Sequence, residues 1–374
     1  MKSFLNKIFG IKNKKSYSGG WISLFEGFNT KYKDTFSSYL YACVSCRAEN
    51  ISKARIYLHK FSADKNNGKV EIFSHPFLEM IKKPNRFNQS FENLLYLISV
   101  SLDLYGNAYL LIERNGGKPS ALYYMPYSNT RIILDNENRR IKEYEYREGN
   151  KTYSIPAQDV VHFLIPSPES NIMGKSLVSA FNHTLDIDYY QNLFQKMFYM
   201  NNASIGLILE CPENLNDEQF ERLETKINQK YTGVDNSGKP LILEGGLKAS
   251  SYKPSVKDVE MLPARKMIRD EILAIMRVPK IILGILEDVN YAGSREAIKI
   301  FNDYTIKPFA KLCIESKFNI FLKNNFNDDM VITMEYEFEN DRELQLKAYE
   351  IYRKYDIASV DEIRELEGFS KNSK

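Results

Sequence analysis

The stretch 278–309 constrains the fold of this chain most, because it requires three backbone conformations in succession. Pro279 lacks an amide donor and disfavours a helical residue before it, so the preceding helix ends at Val278. The segment 284–293 is then a loop, and three polar residues make it too polar to be buried alone: Glu287, Asp288 and Asn290. Any fold of this chain must therefore present a polar loop directly after the end of a helix.

A long helix is predicted after this loop, beginning near Ser294. Its apolar residues keep the spacing of one helical face: Ala297, Phe301, Tyr304, Phe309 and Leu312. Pro308 lies within this run and removes a hydrogen bond to the carbonyl of Tyr304. We therefore expect a kink near Pro308 rather than the end of the helix.

The composition is that of a folded protein with nearly balanced charge. The 374 residues are 43% hydrophobic and 13% aromatic, which excludes a disordered chain and allows two or three domains with a real core. The 51 basic and 48 acidic residues give a net charge of +3. A protein that grips nucleic acid tightly is usually more basic, whereas weak or sliding contact with DNA is compatible with this balance.

Four cysteines in a chain of this length favour a reducing compartment. Cys43 and Cys46 form a C-x-x-C motif of the kind that redox and zinc sites use, but the sequence has no second paired set of ligands. The motif lies in a helical pattern over 37–51. Packing of a helix is therefore the favoured interpretation of these two cysteines.

The N-terminal segment MKSFLNKIFGIKNKK is basic and amphipathic, and it lacks the continuous apolar core of a signal peptide. We expect residues 1–34 to form a mobile tail that docks on a neighbouring subunit or stays disordered. A helix that lies on a membrane surface is the alternative. No uninterrupted apolar run approaches the ~18 residues that span a bilayer.

Short helices and strands alternate over 35–165, which indicates an α+β domain with an antiparallel sheet. Helices are predicted over 37–51 and 76–82 and from a cap at Ser90 to Tyr105. Strands are predicted over 55–61, 69–73, 108–114, 120–125, 130–134, 141–147 and 160–165.

Two long helices flank a small module in the second half of the chain. The first is predicted over 176–201, and its apolar stripe packs either on the domain core or on the next chain of a ring. The second is predicted over 255–277, where Ser255 and Asp258 resemble a capping box and Pro263 either kinks or restarts the helix.

The module between these helices reads as β-α-β-β, with Asn216 and Gln219 capping its helix. It is too small to be comfortably stable alone, so we expect it to pack on its copies in neighbouring subunits. Beyond the kinked helix, a strand is predicted over 331–338. Helices capped by Asp341 and Ser359 follow.

We find no catalytic constellation in the sequence. It contains neither a G-x-x-x-x-G-K-[ST] phosphate-binding loop nor a G-x-S-x-G nucleophile elbow. None of the four histidines is spaced as a metal pair on a helix, and His162, inside a strand, is interpreted as a core histidine. We therefore expect no enzyme, no metal site and no cofactor.

Several phrases of the sequence, in one order, resemble the portal proteins of tailed bacteriophages, specifically the HK97-type family. The phrases are His75-Pro76-Phe77-Leu78, Lys83-Pro84-Asn85, Tyr105-Gly106-Asn107-Ala108-Tyr109, Asp159-Val160-Val161-His162-Phe163 and Gly174-Lys175-Ser176-Leu177. The stretch 278–309 adds Val278, Pro279, Leu283, Gly284, Tyr291, Glu296, Ala297, Phe301, Thr305, Ile306 and Pro308. The resemblance covers roughly 35–369, and it departs from the family at Ala292-Gly293-Ser294, where Asn is more usual.

This resemblance implies a portal-protein fold with a wing, a helical stem, a small α/β clip and a short helical crown. The expected parts are the tail (1–34), the wing (35–175), the first stem helix (176–202), the clip (203–255), the second stem helix (256–278), the channel loop (279–293), the kinked helix with a returning wing strand (294–340) and the crown (341–374).

The resemblance also implies a dodecameric ring at one capsid vertex, a head–tail connector through which double-stranded DNA enters and leaves. The implied partners are the major capsid or scaffolding protein, the terminase large subunit and the head–tail adaptor, in the virion and, during assembly, in the host cytoplasm. The channel loop would present four residues to DNA: Glu287, Asp288, Asn290 and Tyr291. The acids would repel phosphate and Tyr291 would make a nonspecific contact.

Two basic residues beside the loop, Lys280 and Arg295, are candidate phosphate contacts, and either could pair with a nearby acid instead. Two other classes of protein stay open at this point. One is a metal-dependent nucleic-acid enzyme that uses carboxylates. The other is a membrane-associated, ring-forming structural protein that uses the basic N-terminal segment.

Overall fold

The computed structural model describes residues 38–61, 69–135, 140–200, 207–210, 216–231, 248–251, 261–287, 291–326, 329–336 and 342–367. The helices in these ranges are α1 (Ser38–Ser52), α2 (Pro76–Lys82), α3 (Phe91–Tyr105), α4 (Asn182–Met200), α5 (Asp217–Tyr231), α6 (Met261–Met276), α7 (Tyr291–Phe301), α8 (Lys307–Ala310), α9 (Ser316–Phe326), α10 (Arg342–Lys354) and α11 (Val360–Leu366). The strands are β1 (Arg55–Phe61), β2 (Lys69–Glu71), β3 (Asn107–Asn115), β4 (Lys118–Met125), β5 (Thr130–Asp135), β6 (Arg140–Glu148), β7 (Lys151–Pro156), β8 (Val160–Leu164), β9 (Leu207–Glu210), β10 (Lys248–Ser251) and β11 (Met330–Glu335).

The strands pair in an antiparallel manner throughout the described residues, which confirms the predicted α+β class. Among the described residues, three sheets have three strands each, in the orders β11-β1-β2, β4-β3-β8 and β5-β6-β7. In the first sheet Ile56 lies opposite Met334, so β11, which follows the long helix, pairs with β1 from the beginning of the described chain. The fourth sheet pairs β9 with β10 in the small module.

The main hydrophobic core lies between the β4-β3-β8 sheet and the helices α1, α3, α6 and α9. Alternation along β3 places Leu110 and Ile112 in this core. The residues that alternate with them, Tyr109 and Leu111, belong to a second core, where they pack with Tyr144 of the β5-β6-β7 sheet. One strand thus supplies side chains to two cores, which explains why the first six residues of β3 are all buried.

Two of the phrases singled out in the sequence meet where the chain crosses itself. Gly106 ends α3 in the left-handed conformation (φ 75°), and a Cβ there would lie 2.5 Å from the carbonyl carbon of Lys175. A Cβ on Gly174 would in turn overlap the carbonyl oxygen of Gly106. Asn107 joins the two segments, because its side chain accepts from Gly174 N–H at 2.8 Å and donates to Gly174 O at 3.1 Å. Only glycine fits this close approach.

The helix after the loop begins at Tyr291, earlier than the predicted Ser294. It continues past Pro308 to Phe326, as expected, through two π-helical segments, Asn302–Ile306 and Lys311–Glu315. In the first segment Lys307 N–H donates to the carbonyl of Asn302, five residues back. The irregularity around Pro308 is therefore a widened helical turn.

The predicted start of the first long helix at 176 was wrong. Ser176 accepts from Val178 N–H at 3.0 Å and donates to Asp103 O at 3.0 Å, so a tight 3-10 turn, Val178–Phe181, precedes α4. Strand β7 was not predicted from the sequence. Only one of its six residues, Ile155, is buried, so the strand has no clear apolar alternation. In the second long helix Pro263 lies in the first turn of α6, where its missing N–H removes no intrahelical bond.

The predicted caps within the described residues are confirmed. Ser90 accepts from Asn93 N–H at 3.2 Å, Asn216 from Gln219 N–H at 2.9 Å, and Ser359 from Glu362 N–H at 3.2 Å. The segment 1–34, the capping box at Ser255 and Asp258, and the Asp341 cap lie outside the described residues.

The C-x-x-C motif lies within α1, as the helix-packing interpretation requires. Cys43 is buried in the main core, and burial raises the pKa of its thiol to about 12. Cys46 packs against the same core, and both thiols are free. His162 likewise fits a core role, because it lies 3.1 Å from Asn107 Oδ1 and against the ring of Tyr109.

Candidate channel-loop site

The end of α6 is held by a buried ion pair between two other helices. Arg47 on α1 donates to both carboxylate oxygens of Asp103 on α3, at 2.8 and 3.0 Å. Its remaining nitrogen donates to the carbonyl of Met276, the last residue of α6, at 3.2 Å. Because a guanidinium donates in a fixed planar fork, this contact fixes the end of α6 relative to α1 and α3.

The chain turns sharply after α6. Arg277 adopts a left-handed conformation (φ 54°), and its carbonyl accepts from the Thr305 hydroxyl at 3.2 Å. Pro279 then begins a 3-10 turn, Lys280–Leu283, which ends at Gly284 with φ 75°. The helix before Pro279 thus ends at Met276, two residues earlier than the predicted Val278, and Val278 itself is buried in the main core.

Glu287, predicted to face DNA, is bound to α6. Its carboxylate accepts from Arg269 at 2.8 and 3.4 Å and lies 3.4 Å from the Lys266 ammonium. The hydrogen bond from Arg269 holds the pKa of Glu287 below its usual range. The carboxylate of Glu287 is therefore ionised at neutral pH and paired with two cations of α6.

Lys280, a candidate phosphate contact, pairs with Asp270 on α6. Its ammonium lies 2.7 Å from Asp270, whose other carboxylate oxygen accepts from Arg269 at 3.0 Å. Burial opposes ionisation of Asp270, yet the bonds from Lys280 and Arg269 outweigh it and hold the pKa of this carboxyl below its usual range. Of the two alternatives left open by the sequence, pairing with an acid is the one seen here.

The remaining predicted residues are only partly within the described residues. Asp288 and Asn290 lie outside them, and Tyr291 opens α7 with a side chain that is likewise not described. Arg295 lies exposed on α7. The structure thus brings Lys280 and Glu287 to one place through Arg269 and Asp270. The sequence did not predict Arg269 and Asp270 as the residues that join them.

Neither alternative class of protein gains an observation from the part of the chain that the structure describes. Those residues hold no group of three or more histidine, cysteine, aspartate or glutamate side chains able to bind a metal ion. Among the same residues, no helix is long and apolar enough to cross a membrane.

Comparison with known proteins decides the family. The family model described as phage portal protein matches residues 38–368, nearly all of the chain. This chain belongs to the phage portal protein family. The resemblance to portal proteins and the portal function predicted from the sequence are thereby confirmed, and the family is one of structural proteins.

Individual relatives cover most of this portal chain. A protein of Rickettsia bellii, described as uncharacterized, is 28% identical over 337 residues, which are 88% of this chain and 85% of that one. The portal protein of Enterobacteria phage HK97 is 23% identical over 257 residues, 67% of this chain and 59% of that one.

Solved structures share the fold. A chain from the neck of an empty GTA particle, computed with C6 symmetry, has a TM-score of 0.61 at 20% identity and covers 90% of this chain and 91% of that one. A chain from the neck of a native GTA particle, computed with C12 symmetry, has a TM-score of 0.59 at 19% identity with the same coverage. The portal fold is therefore confirmed, whereas the division into wing, stem, clip and crown stays a prediction.

Proposed function

We propose that copies of this portal chain close into a dodecameric ring at one capsid vertex and form the conduit through which double-stranded DNA is packaged and ejected. Family membership supports this proposal, as does the shared fold with neck chains of a particle computed with C12 symmetry. Those structures come from particle necks, which supports a location in the virion.

One apolar stripe on α4 carries the argument for a ring. Ile187, Tyr190, Phe194 and Met197 are between 46% and 56% exposed in the single chain. Their spacing of three, four and three residues is that of the seam between two packed helices. The stripe is distinct from the part of α4 that contacts α6, where Thr184 donates to Glu271 at 2.9 Å.

The size of the stripe fits a contact between copies. Full burial of a large apolar side chain contributes about 1.5–3 kcal/mol, so covering four half-exposed ones contributes roughly 4 kcal/mol per contact. In a closed ring every copy makes this contact once on each side, because the interface is heterologous and repeats. The sequence left open whether another set of apolar residues packs on the core or on the next chain: Val178, Phe181, Leu185, Tyr189, Leu193, Met197 and Met200. In the structure Val178 and Phe181 are buried in the core and Leu185 packs against it, whereas Met197 belongs to the exposed stripe.

The channel loop is proposed to face DNA through Asp288, Asn290 and Tyr291. Like charge repels phosphate and keeps a duplex from adhering to its conduit, which suits the nearly balanced charge of the chain. We assign 176–202 and 256–278 to the stem, 203–255 to the clip, 35–175 to the wing and 341–374 to the crown. The clip meets the terminase large subunit and later the head–tail adaptor, the outer surface meets the capsid or scaffolding protein, and assembly takes place in the host cytoplasm.

Electron microscopy of the purified protein in negative stain tests the ring. We expect annular particles with a central hole for the wild type and single chains for Phe194→Glu, because the substitution places a charge in the proposed seam. Leu134→Glu is the matched control, since Leu134 on β5 is 43% exposed and belongs to a different part of the fold. A wild type that remains monomeric at micromolar concentration would overturn the proposal. A Phe194→Glu variant that forms rings as readily as Leu134→Glu would overturn the role of α4.

A further inference from the structure

The geometry at the end of α6 points to a role for Glu287 other than contact with DNA. We infer that Arg269 and Asp270 are positioning residues, and that Glu287 anchors the channel loop to α6. This inference rests on the proposed function, because it concerns the loop that is proposed to face DNA. Of the two neighbouring acids, it leaves only Asp288 to repel the phosphates of DNA.

The first step is that two neighbouring residues of α6 bind opposite ends of the turn that follows it. Asp270 binds Lys280 at the beginning of the turn, at 2.7 Å, and Arg269 binds Glu287 at its end, at 2.8 Å. Arg269 also donates to Asp270 at 3.0 Å, so the two contacts are joined. A segment held at both ends to one rigid helix keeps its position and its orientation relative to that helix.

The second step is the burial of Arg269. Its side chain is only 8% exposed, so its guanidinium has little access to water and depends on protein acceptors. Glu287 occupies two of its nitrogens, at 2.8 and 3.4 Å. The ion pair Lys82–Glu79 differs in kind, since both of its side chains are about two-thirds exposed and water can replace either partner. Glu287 is therefore, with Asp270, one of two carboxylates that compensate the charge of a buried guanidinium.

The third step is the path of the chain. Ile285 packs against the main core and donates its N–H to Lys280 O at 3.1 Å, whereas Leu286 is 73% exposed. Leu286 thus lies at the surface of the protein. Glu287 is the next residue and the last tie to α6 before the segment outside the described residues. Its position suits an anchor at the base of the proposed channel loop.

The charges have a consequence for DNA. Three basic groups (Lys266, Arg269 and Lys280) and two acids (Asp270 and Glu287) make up the cluster, which gives it a net charge of three minus two, or +1. The base of the loop is therefore not acidic, although two neighbouring acids in the sequence suggest that it is. A substitution of Glu287 tests the anchor, and a substitution of Asp288 tests repulsion of phosphate.

Hydrogen–deuterium exchange of the backbone amides over 280–293 tests the anchor without DNA. We expect Glu287→Gln to increase exchange there about fivefold or more, since the loop opens once its tie to α6 is lost. The matched control is Asp288→Asn, which removes the same charge one residue along and is expected to leave exchange unchanged. If Glu287→Gln leaves exchange at the wild-type level, or if both variants raise it equally, the inference is overturned.

A double variant separates the anchor from a general loss of charge. If Arg269 and Glu287 act on each other, Arg269→Gln combined with Glu287→Gln exchanges no faster than Arg269→Gln alone, because the tie is already lost. Effects that add would overturn the inference. Its failure is distinguishable from failure of the ring, because exchange is measured whether or not the protein forms annular particles. Wild-type protection with no rings would overturn the proposed function and leave the anchor intact.

Discussion

Replacing Asp103 by Asn removes the charge that compensates Arg47 inside the protein. The two side chains are 0% and 3% exposed, and they form two hydrogen bonds at 2.8 and 3.0 Å. Asparagine has nearly the same shape, so the substitution creates no cavity and leaves a buried guanidinium without its counter-charge. Breaking a buried pair in this way costs about 3–5 kcal/mol, and we expect the free energy of unfolding to fall by that amount.

Urea denaturation followed by far-ultraviolet circular dichroism measures this loss. Wild type and variants are compared at one protein concentration, because assembly into rings would stabilise the folded chain by mass action. The matched control is Asp159→Asn, which breaks the Arg114–Asp159 pair of 2.6 Å whose side chains are 17% and 25% exposed. Both of these side chains are partly accessible to water, so we expect a smaller loss there, of about 1 kcal/mol.

A double substitution tests whether the cost comes from the unpaired charge. Arg47→Met with Asp103→Leu replaces the pair by apolar groups, and buried pairs replaced in this way often lose little stability. We therefore expect the double variant to be more stable than Asp103→Asn alone. The reasoning is refuted if Asp103→Asn costs no more than Asp159→Asn, since the buried Arg47 charge would then carry no penalty.

Two further predictions concern the glycine crossing and a core histidine. Gly174→Ala places a Cβ against a backbone carbonyl and should cost about 2 kcal/mol or more in thermal unfolding; Gly117→Ala, whose Cβ meets nothing within 4 Å, should cost only the ~1 kcal/mol of a left-handed alanine. Burial lowers the pKa of His162 to about 3. The pKa of this histidine in the unfolded chain is about 6.5, so its contribution to the free energy of unfolding is fully present above that pH. The contribution falls by up to ~1.4 kcal/mol per pH unit as the pH decreases toward 3. Urea midpoints at pH 7 and 5.5 should show this slope in the wild type and a smaller one in His162→Gln; equal slopes would contradict the assignment.

The helix caps were predictable because both partners lie within one turn of the same helix. Ser90, Asn216 and Ser359 each bind an amide three residues further along, so the bond depends only on local geometry. The start of α4 was mispredicted because Ser176 also donates to Asp103 O, in a distant segment. A local pattern specifies a capping residue, but distant contacts decide which residue takes that role.

The partners in the candidate site could not be predicted in the same way. The polarity of Glu287 showed only that its carboxylate needs water, a cation or a hydrogen-bond donor. Which of these it meets depends on the direction of the turn after α6, and that turn depends on a left-handed residue, Arg277. Arginine gives no sequence signal for this conformation, whereas the left-handed Gly284 does.

Helix α6 contacts both α4, which carries the proposed ring contact, and the turn that leads into the channel loop. Its end is fixed through the Met276 carbonyl by Arg47, and Arg269 and Asp270 hold the turn that follows. Glu271, one residue on, accepts from Thr184 of α4, the helix that carries the exposed stripe. Successive helical residues point about 100° apart, so neighbouring positions reach these different partners. The base of the channel loop therefore cannot shift relative to α6 without breaking ion pairs to a buried arginine. In a ring, displacement of α4 against its neighbour would move α6 and the base of the loop together.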